Sequence, residues 1–216
     1  MFYSQVCESI EEEKIIVIVR NVEKEKLIPL VQAMYDGGIR LLEVTFDATG
    51  KVSDEQTAAN IKMLVDHFGN TMHIGAGTVL STKQVELTHQ AGGRFIISPN
   101  TNAEVIALTR KLGMVSMPGA VTPTEIQQAH ELGATFVKLF PAGDLGPGYV
   151  KAVKAPLSHI KLTAVGGIHD GNMPDYIKAG AAGFGVGANI VDKKLLEAED
   201  YDGIRELAKR YVAVIK

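Results

Sequence analysis

The chain has 216 residues, 46% of them hydrophobic, with 22 basic and 25 acidic side chains and a formal charge of −3. That length and balance suit one packed domain over residues 1–216, and no cluster of Lys and Arg with interleaved aromatics is present to grip nucleic acid. The lone cysteine, Cys7, excludes an internal disulfide and a Cys-rich zinc framework, and no apolar run approaches membrane-spanning length, so the chain reads as a soluble cytoplasmic protein.

Residues 2–12 form a helical stretch ahead of the first strand, placed to cover one end of the fold. Apolar, β-branched runs then follow at 15–20, 40–46, 73–79, 94–99, 114–118, 135–140, 161–165 and 183–187. Between them lie stretches of helical spacing such as "KEKLIPLVQAMYDGG", where Leu27, Leu30, Val31 and Met34 make one stripe. Five of these stretches end in glycine before the next strand, the residue a tight helix-to-strand turn takes past a helix C-terminus. Eight strand–helix units in one chain predict a (β/α)8 TIM barrel with a short N-terminal helix, at the small end of the usual range of about 200 to 400 residues. A doubly wound open sheet is the rival architecture. Against it, "GAGTVL" lacks the third glycine of a dinucleotide fingerprint, and "GFGVGA" is followed by too little chain to complete a nucleotide-binding half.

Strand alternation sorts side chains between the helices and the barrel interior. With Val17, Val19, Leu42, Val44, Val137 and Leu139 facing the helices, Ile18, Glu43, Thr45, Phe136, Lys138 and Phe140 point inward, and Arg20 lies inside at the end of its strand. Thr78 is grouped with Ile74 and Ala76 on the inward parity of its strand. Arg20, Glu43, Thr78 and Lys138 then converge at the C-terminal ends of their strands, the face where barrel enzymes do their chemistry. Each has a plain structural alternative: a buried ion pair for Lys138 with Glu43, a rim position for Arg20, an ordinary strand threonine for Thr78. Their convergence favours chemistry, because a buried ion pair seldom adds net stability over apolar replacements.

A lysine desolvated between Phe136 and Phe140 holds a fraction of neutral amine, the form that attacks a ketone. Glu43 is the interior acid beside it and suits proton transfer, and Arg20 suits a substrate carboxylate. That set describes a Schiff-base aldolase acting on a 2-keto acid. Gly166 and Gly167 after the seventh strand, with Gly185 and Gly187 after the eighth, sit where barrels bind phosphate through backbone N–H groups. The plain alternative is ordinary turn glycine. The histidines suggest no metal site: His67, His89 and His130 fall in helical stretches, His73 opens a strand on the wrong face, His159 is in a loop, and His169 stands alone near the mouth.

The stretches "LLEVTF", "IGAGTVLS", "ISPNTN", "MPGAVTPTE", "FVKLFPA" and "AVGGI", in this order, resemble the KDPG/KHG aldolase family, which acts on 2-keto-3-deoxy-6-phosphogluconate (KDPG) and 4-hydroxy-2-oxoglutarate (KHG) and includes 2-keto-3-deoxy-6-phosphogalactonate aldolases. The resemblance implies a (β/α)8 barrel, a homotrimer, and a class I aldolase with no metal or organic cofactor that cleaves KDPG to pyruvate and glyceraldehyde 3-phosphate. It matches Lys138 with the Schiff-base lysine, Glu43 with the acid/base and Thr78 with a substrate-binding threonine. Gly166, Gly167, Gly187 and Ala188 match the phosphate loops, and Pro99 and Phe140 the pocket lining. Two departures stand out: Asp47 where gluconate-type members carry arginine, and Val165 where they carry threonine. With Arg20 ending the first strand, these are similar to the galactonate-type branch. The alternatives are therefore a galactonate-type aldolase, or a phosphosugar-binding barrel without aldolase chemistry.

Overall fold

Nine parallel strands wind around one axis in a computed structural model that describes residues 2–216. The strands are β1 Ile15–Val19, β2 Leu41–Thr45, β3 His73–Gly77, β4 Phe95–Ile97, β5 Val115–Met117, β6 Gly119–Ala120, β7 Val137–Leu139, β8 Leu162–Val165 and β9 Gly183–Val186. Helix α1 (Phe2–Glu13) precedes them. The barrel helices are α2 Lys24–Asp36, α3 Asp54–Phe68, α4 Thr82–Gln90, α5 Ala103–Lys111, α6 Pro123–Glu131, α7 Ala142–Lys154 and α8 Met173–Lys178, and α9 Lys193–Glu197 and α10 Tyr201–Ile215 close the chain's fold.

The hydrogen-bonded order is β5-β4-β3-β2-β1-β9-β8-β7-β6. Only Pro118 separates β5 from β6, and proline has no N–H to give a ladder. The two are halves of one strand: β5 pairs with β4, and β6 pairs with β7. Counting them together gives the eight strands of the predicted barrel and closes the ring. Gly119 permits that closure, because a Cβ there would run into the Pro99 carbonyl.

Two cores explain the alternation. Val17, Val19, Leu42, Val44, Val137, Leu139, Leu162 and Ala164 pack outward against the helices. Ile16, Leu41, Phe95, Ile97, Val115, Met117 and Phe136 fill the interior together with Val6 and Ile10 of α1. Helix α1 therefore plugs the bottom of the barrel, as expected for residues 2–12. Val6 and Ile10 are fully buried, each worth about 1.5–3 kcal/mol by area. Ser9 hydrogen-bonds His73 Nε2 at 3.0 Å, and Glu11 pairs with Lys161. The expected glycine turns are present; Gly38 and Gly133, at φ 101° and 102°, follow α2 and α6.

On β3 the expected parity is reversed. Ile74 and Ala76 belong to the outer core, so His73, Gly75 and Gly77 are the inward residues. Glycine stands at both upper positions because the space is taken: a Cβ on Gly75 would meet the Phe95 ring, and one on Gly77 the Glu43 carboxyl. Thr78 reaches the mouth by another route. The chain leaves β3 with Thr78 at φ 55°, a left-handed conformation costing a β-branched residue about 1–3 kcal/mol.

Candidate active site

Lys138 and Glu43 are set on opposite walls of the interior. Lys138 pairs in register with Gly119 on one side and Thr163 on the other, and Glu43 pairs with Ile18 and Gly75. Lys138 is 9% exposed, and its Nζ lies 5.0 Å from the centroid of the Phe140 ring. Burial pulls its pKa below the ordinary lysine value; the Glu43 charge opposes this and Arg20 adds to it. Glu43 is 2% exposed, and burial raises its carboxyl above the usual range, against the opposing pull of Lys138 and then Arg20. The two shifts act together: each brings its group closer to neutral pH, where one supplies a free amine and the other exchanges protons.

Above them a cavity of about 570 Å3 opens to solvent. Its wall includes Arg20, Glu43, Thr78, Pro99, Lys138 and Phe140, and its rim Val165, Gly166, Gly167, Gly187, Ala188 and Asn189. Every residue expected in the site thus lines one space. Arg20 Nη2 donates to Thr78 Oγ1 at 3.2 Å, which holds the guanidinium over the mouth. Asp47, where an arginine was the expected family residue, turns away into its own loop. Its carboxylate accepts from the Thr49 hydroxyl at 2.7 Å and from the backbone N–H groups of Thr49, Lys51 and Val52. The Thr49 hydroxyl first, then those N–H groups, lower its pKa to about 2. Arg20 is therefore the cation at the mouth.

At the rim, Gly166 and Gly167 take successive left-handed conformations, φ 87° and 71°. The turn is anchored from behind: Gly143 N–H donates to the Gly166 carbonyl at 2.7 Å, and Asn172 Nδ2 to the Gly167 carbonyl at 2.9 Å. The Gly187 carbonyl accepts from Ile190 and Val191 N–H. Asn189 donates to the Ile168 carbonyl at 3.0 Å and ties the two loops together. Sequence reasoning passed over Asn189 and Thr163. Alternation in "KLTAV" would have placed Thr163 inward beside Lys138; nothing short of the folded loops would have placed Asn189.

The profile of the KDPG and KHG aldolases matches residues 6–207. The 2-dehydro-3-deoxy-6-phosphogalactonate aldolase of Escherichia coli (strain K12) is 37% identical over 177 residues, covering 82% of this chain and 83% of the relative. The 2-dehydro-3-deoxy-phosphogluconate aldolase of Treponema pallidum (strain Nichols) is 31% identical over 211 residues, 97% of each chain. Among solved structures, the KDPG aldolase of Legionella pneumophila, with pyruvate captured at low pH as a covalent carbinolamine intermediate, superposes with a TM-score of 0.84 over 94% of this chain and 96% of that one, at 27% identity. A buried lysine and glutamate at the mouth of a closed barrel, in a chain that this family's profile spans almost throughout, are what such likeness requires: the chain belongs to the KDPG and KHG aldolase family and is a class I pyruvate aldolase, a carbon–carbon lyase.

Proposed function

We propose that Lys138 is the Schiff-base nucleophile, Glu43 the acid/base and Arg20 with Thr78 the carboxylate clamp of an aldolase that cleaves 2-keto-3-deoxy-6-phosphogluconate to pyruvate and glyceraldehyde 3-phosphate. The observation that carries this reading is the desolvated Lys138 amine facing the same cavity as Glu43. The neutral amine adds to the C2 ketone and water leaves, giving a protonated imine. Glu43 removes the C4 hydroxyl proton, the C3–C4 bond breaks, and its electrons flow into the imine as an enamine. The aldehyde departs. Glu43 returns a proton to C3, and hydrolysis of the imine frees pyruvate and Lys138. The N–H groups around Gly166, Gly167, Gly187 and Ala188 receive the 6-phosphate, where glycine lets the backbone approach. Pro99 and Phe140 wall the chain of the substrate.

Borohydride reduction with pyruvate should add one three-carbon adduct to the peptide containing Lys138. Lys138→Ala and Lys138→Arg should both be inactive, the second because guanidinium stays protonated. An adduct on another lysine, or turnover in either variant, would overturn the assignment.

The galactonate epimer is a second substrate, favoured by Asp47 turning away from the mouth and by Val165, which offers no hydroxyl near C4. An apolar contact separates such analogues by only about 1–3 kcal/mol, so the two epimers should have kcat/KM values within about two decades. Unphosphorylated 4-hydroxy-2-oxoglutarate should be slower, since it leaves the glycine loops unused. Absolute specificity for one epimer would refute the role given to Val165. A single domain, a homotrimer and a cytoplasmic location complete the reading. The family resemblance supports the trimer, which light scattering tests; among the described residues no helix is long and apolar enough to cross a membrane.

A further inference from the structure

Three successive carbonyls in the loop after β8 are each held by a different donor. The Gly166 carbonyl accepts from Gly143 N–H, the Gly167 carbonyl from Asn172 Nδ2, and the Ile168 carbonyl from Asn189 Nδ2 at 3.0 Å. The first donor is backbone, and the second belongs to the same loop. The third is a side chain from the opposite loop, and Asn189 is itself exposed at the rim. Keeping an exposed side chain in one rotamer costs conformational entropy, so something beneath it must offset that cost.

Helix α10 supplies the support. Ile204, Ala208 and Tyr211 make its buried stripe, and Tyr211 is 1% exposed. A buried phenol takes a hydrogen-bond partner. Burial raises the pKa of the Tyr211 hydroxyl, and its hydrogen bonds with the Asp170 backbone N–H and the Asn189 side chain oppose that rise. The residue before it, Arg210, pairs through Nε with Asp170 Oδ2 at 2.6 Å, and the Asp170 side chain is 27% exposed. Two consecutive residues of α10 thus grip the loop between β8 and α8 and, through Asn189, the loop after β9.

We propose that Tyr211, helped by the Arg210–Asp170 pair, is a positioning residue for the phosphate rim: it holds Asn189 and the backbone of residues 166–170 in the shape that receives a phosphate, so that the C-terminal helix sets the preference for phosphorylated over unphosphorylated 2-keto acids. This inference rests on the phosphate role proposed for Gly166, Gly167, Gly187 and Ala188. Arg210, Tyr211 and Asp170 lie outside the cavity wall, so they reach the substrate through the loops. Lys138 and Glu43 stand on other elements, β7 and β2, and chemistry on a substrate without phosphate should not sense the brace.

The test compares kcat/KM for 2-keto-3-deoxy-6-phosphogluconate with that for 4-hydroxy-2-oxoglutarate, and measures competitive inhibition by inorganic phosphate. The proteins are the unaltered chain, Tyr211→Phe and Asp170→Ala. Tyr211→Phe removes one oxygen and no charge. It should raise KM for the phosphorylated substrate and the inhibition constant of phosphate by about two- to tenfold, the worth of one hydrogen bond. Cleavage of 4-hydroxy-2-oxoglutarate and methyl-proton exchange of pyruvate should stay as they are. A tyrosine that merely docks the helix would lower Tm and leave the ratio between the two substrates unmoved. Asp170→Ala separates support from charge: removing an anion near the rim would by charge alone tighten phosphate, whereas losing the brace weakens it, and weakening is expected. An unmoved substrate ratio in Tyr211→Phe, or tighter phosphate in Asp170→Ala, overturns the inference. Should Tyr211→Phe not fold, Asp170→Ala, at a partly exposed side chain, decides alone. Failure of the underlying reading looks different. An unaltered protein that neither prefers the phosphorylated substrate nor is inhibited by phosphate has no phosphate rim, and the brace falls with it; a preference that is present and unmoved by the variants sinks the brace alone.

Discussion

Adding one methyl group at Gly77 should disable Glu43 without touching its chemistry. A Cβ built on Gly77 would lie 2.5 Å from Glu43 Cδ and 2.9 Å from Oε2, and nearer still to Oε1. All three are closer than unbonded carbon contacts allow, so the carboxyl must swing away, toward the cavity whose wall it forms. Gly77 does not have positive φ, so alanine is tolerated by the backbone and even stabilises by about 0.4–1 kcal/mol through the unfolded chain. Overpacking costs about 1–3 kcal/mol, leaving a net loss of about 0–2.5 kcal/mol. For a chain of this size each kcal/mol moves Tm by about 2–4 °C, so Gly77→Ala should remain folded at room temperature. A displacement of the base by about 1 Å should cost about 10²-fold in rate. Borohydride trapping at Lys138 should persist, because the amine stands on the opposite wall. Gly75→Ala is the matched control: its Cβ strikes the Phe95 ring, in the lower core, so it should lower Tm while leaving methyl-proton exchange near that of the unaltered protein. Exchange at the unaltered rate in Gly77→Ala would show that Glu43 is not the base, or that its position does not matter.

Glu43→Gln should retain imine formation while methyl-proton exchange falls by about 10² to 10⁴; exchange at the ordinary rate would move the base elsewhere. The same variant removes the charge that holds the Lys138 pKa up, so the pH at which imine formation half-saturates should move to lower pH; an upward shift would contradict the coupling. Arg20→Ala removes the cation at the mouth and its bond to Thr78, and should raise KM more than it lowers kcat; an unchanged KM would assign the carboxylate to another group. Ile10→Ala should cost about 2–5 kcal/mol in urea unfolding with kcat/KM unchanged, since α1 plugs the end of the barrel opposite the mouth; loss of activity in folded protein would show that the two ends are coupled.

Much of this was legible in the chain because the barrel repeats one physical rule. Where both faces of a strand carry side chains of contrasting kind, as in "LLEVT" and "FVKLF", alternation placed Glu43 and Lys138 inward from the apolar residues beside them. Glycines after helical stretches marked the returns, and Gly166, Gly167 and Gly187 after the last two strands marked the rim, whereas Gly185, expected beside Gly187, lies within β9. The first helix was visible as a stretch with no strand before it. In "HIGAGT" the same rule misled, because the inward residues are a histidine and two glycines and carry no hydrophobic signal. The identity of the glycines is set by Phe95 and by the Glu43 carboxyl, which reach across from neighbouring strands. Only the folded barrel shows those neighbours, and only it shows that Thr78 turns into the mouth through a left-handed residue.

The division follows from where each constraint originates. Alternation, helical spacing and turn glycine are local, set by a residue's own backbone and its nearest neighbours, and a single chain spells them out. Which inward positions have room only for glycine, and which side chains share the cavity at the mouth, depend on contacts between segments far apart in sequence. Arg20 meets Thr78 across 58 positions, and Asn189 bridges to Ile168 across 21. Such distances close only when the sheet curls on itself and Pro118 splits its fifth strand so that each half finds a different neighbour. The sequence by itself therefore determined the barrel and the two inward side chains, Glu43 and Lys138, on which the proposed chemistry rests, while tertiary structure decided their orientation, their desolvation and their supports, because those are properties of the space between strands rather than of any strand.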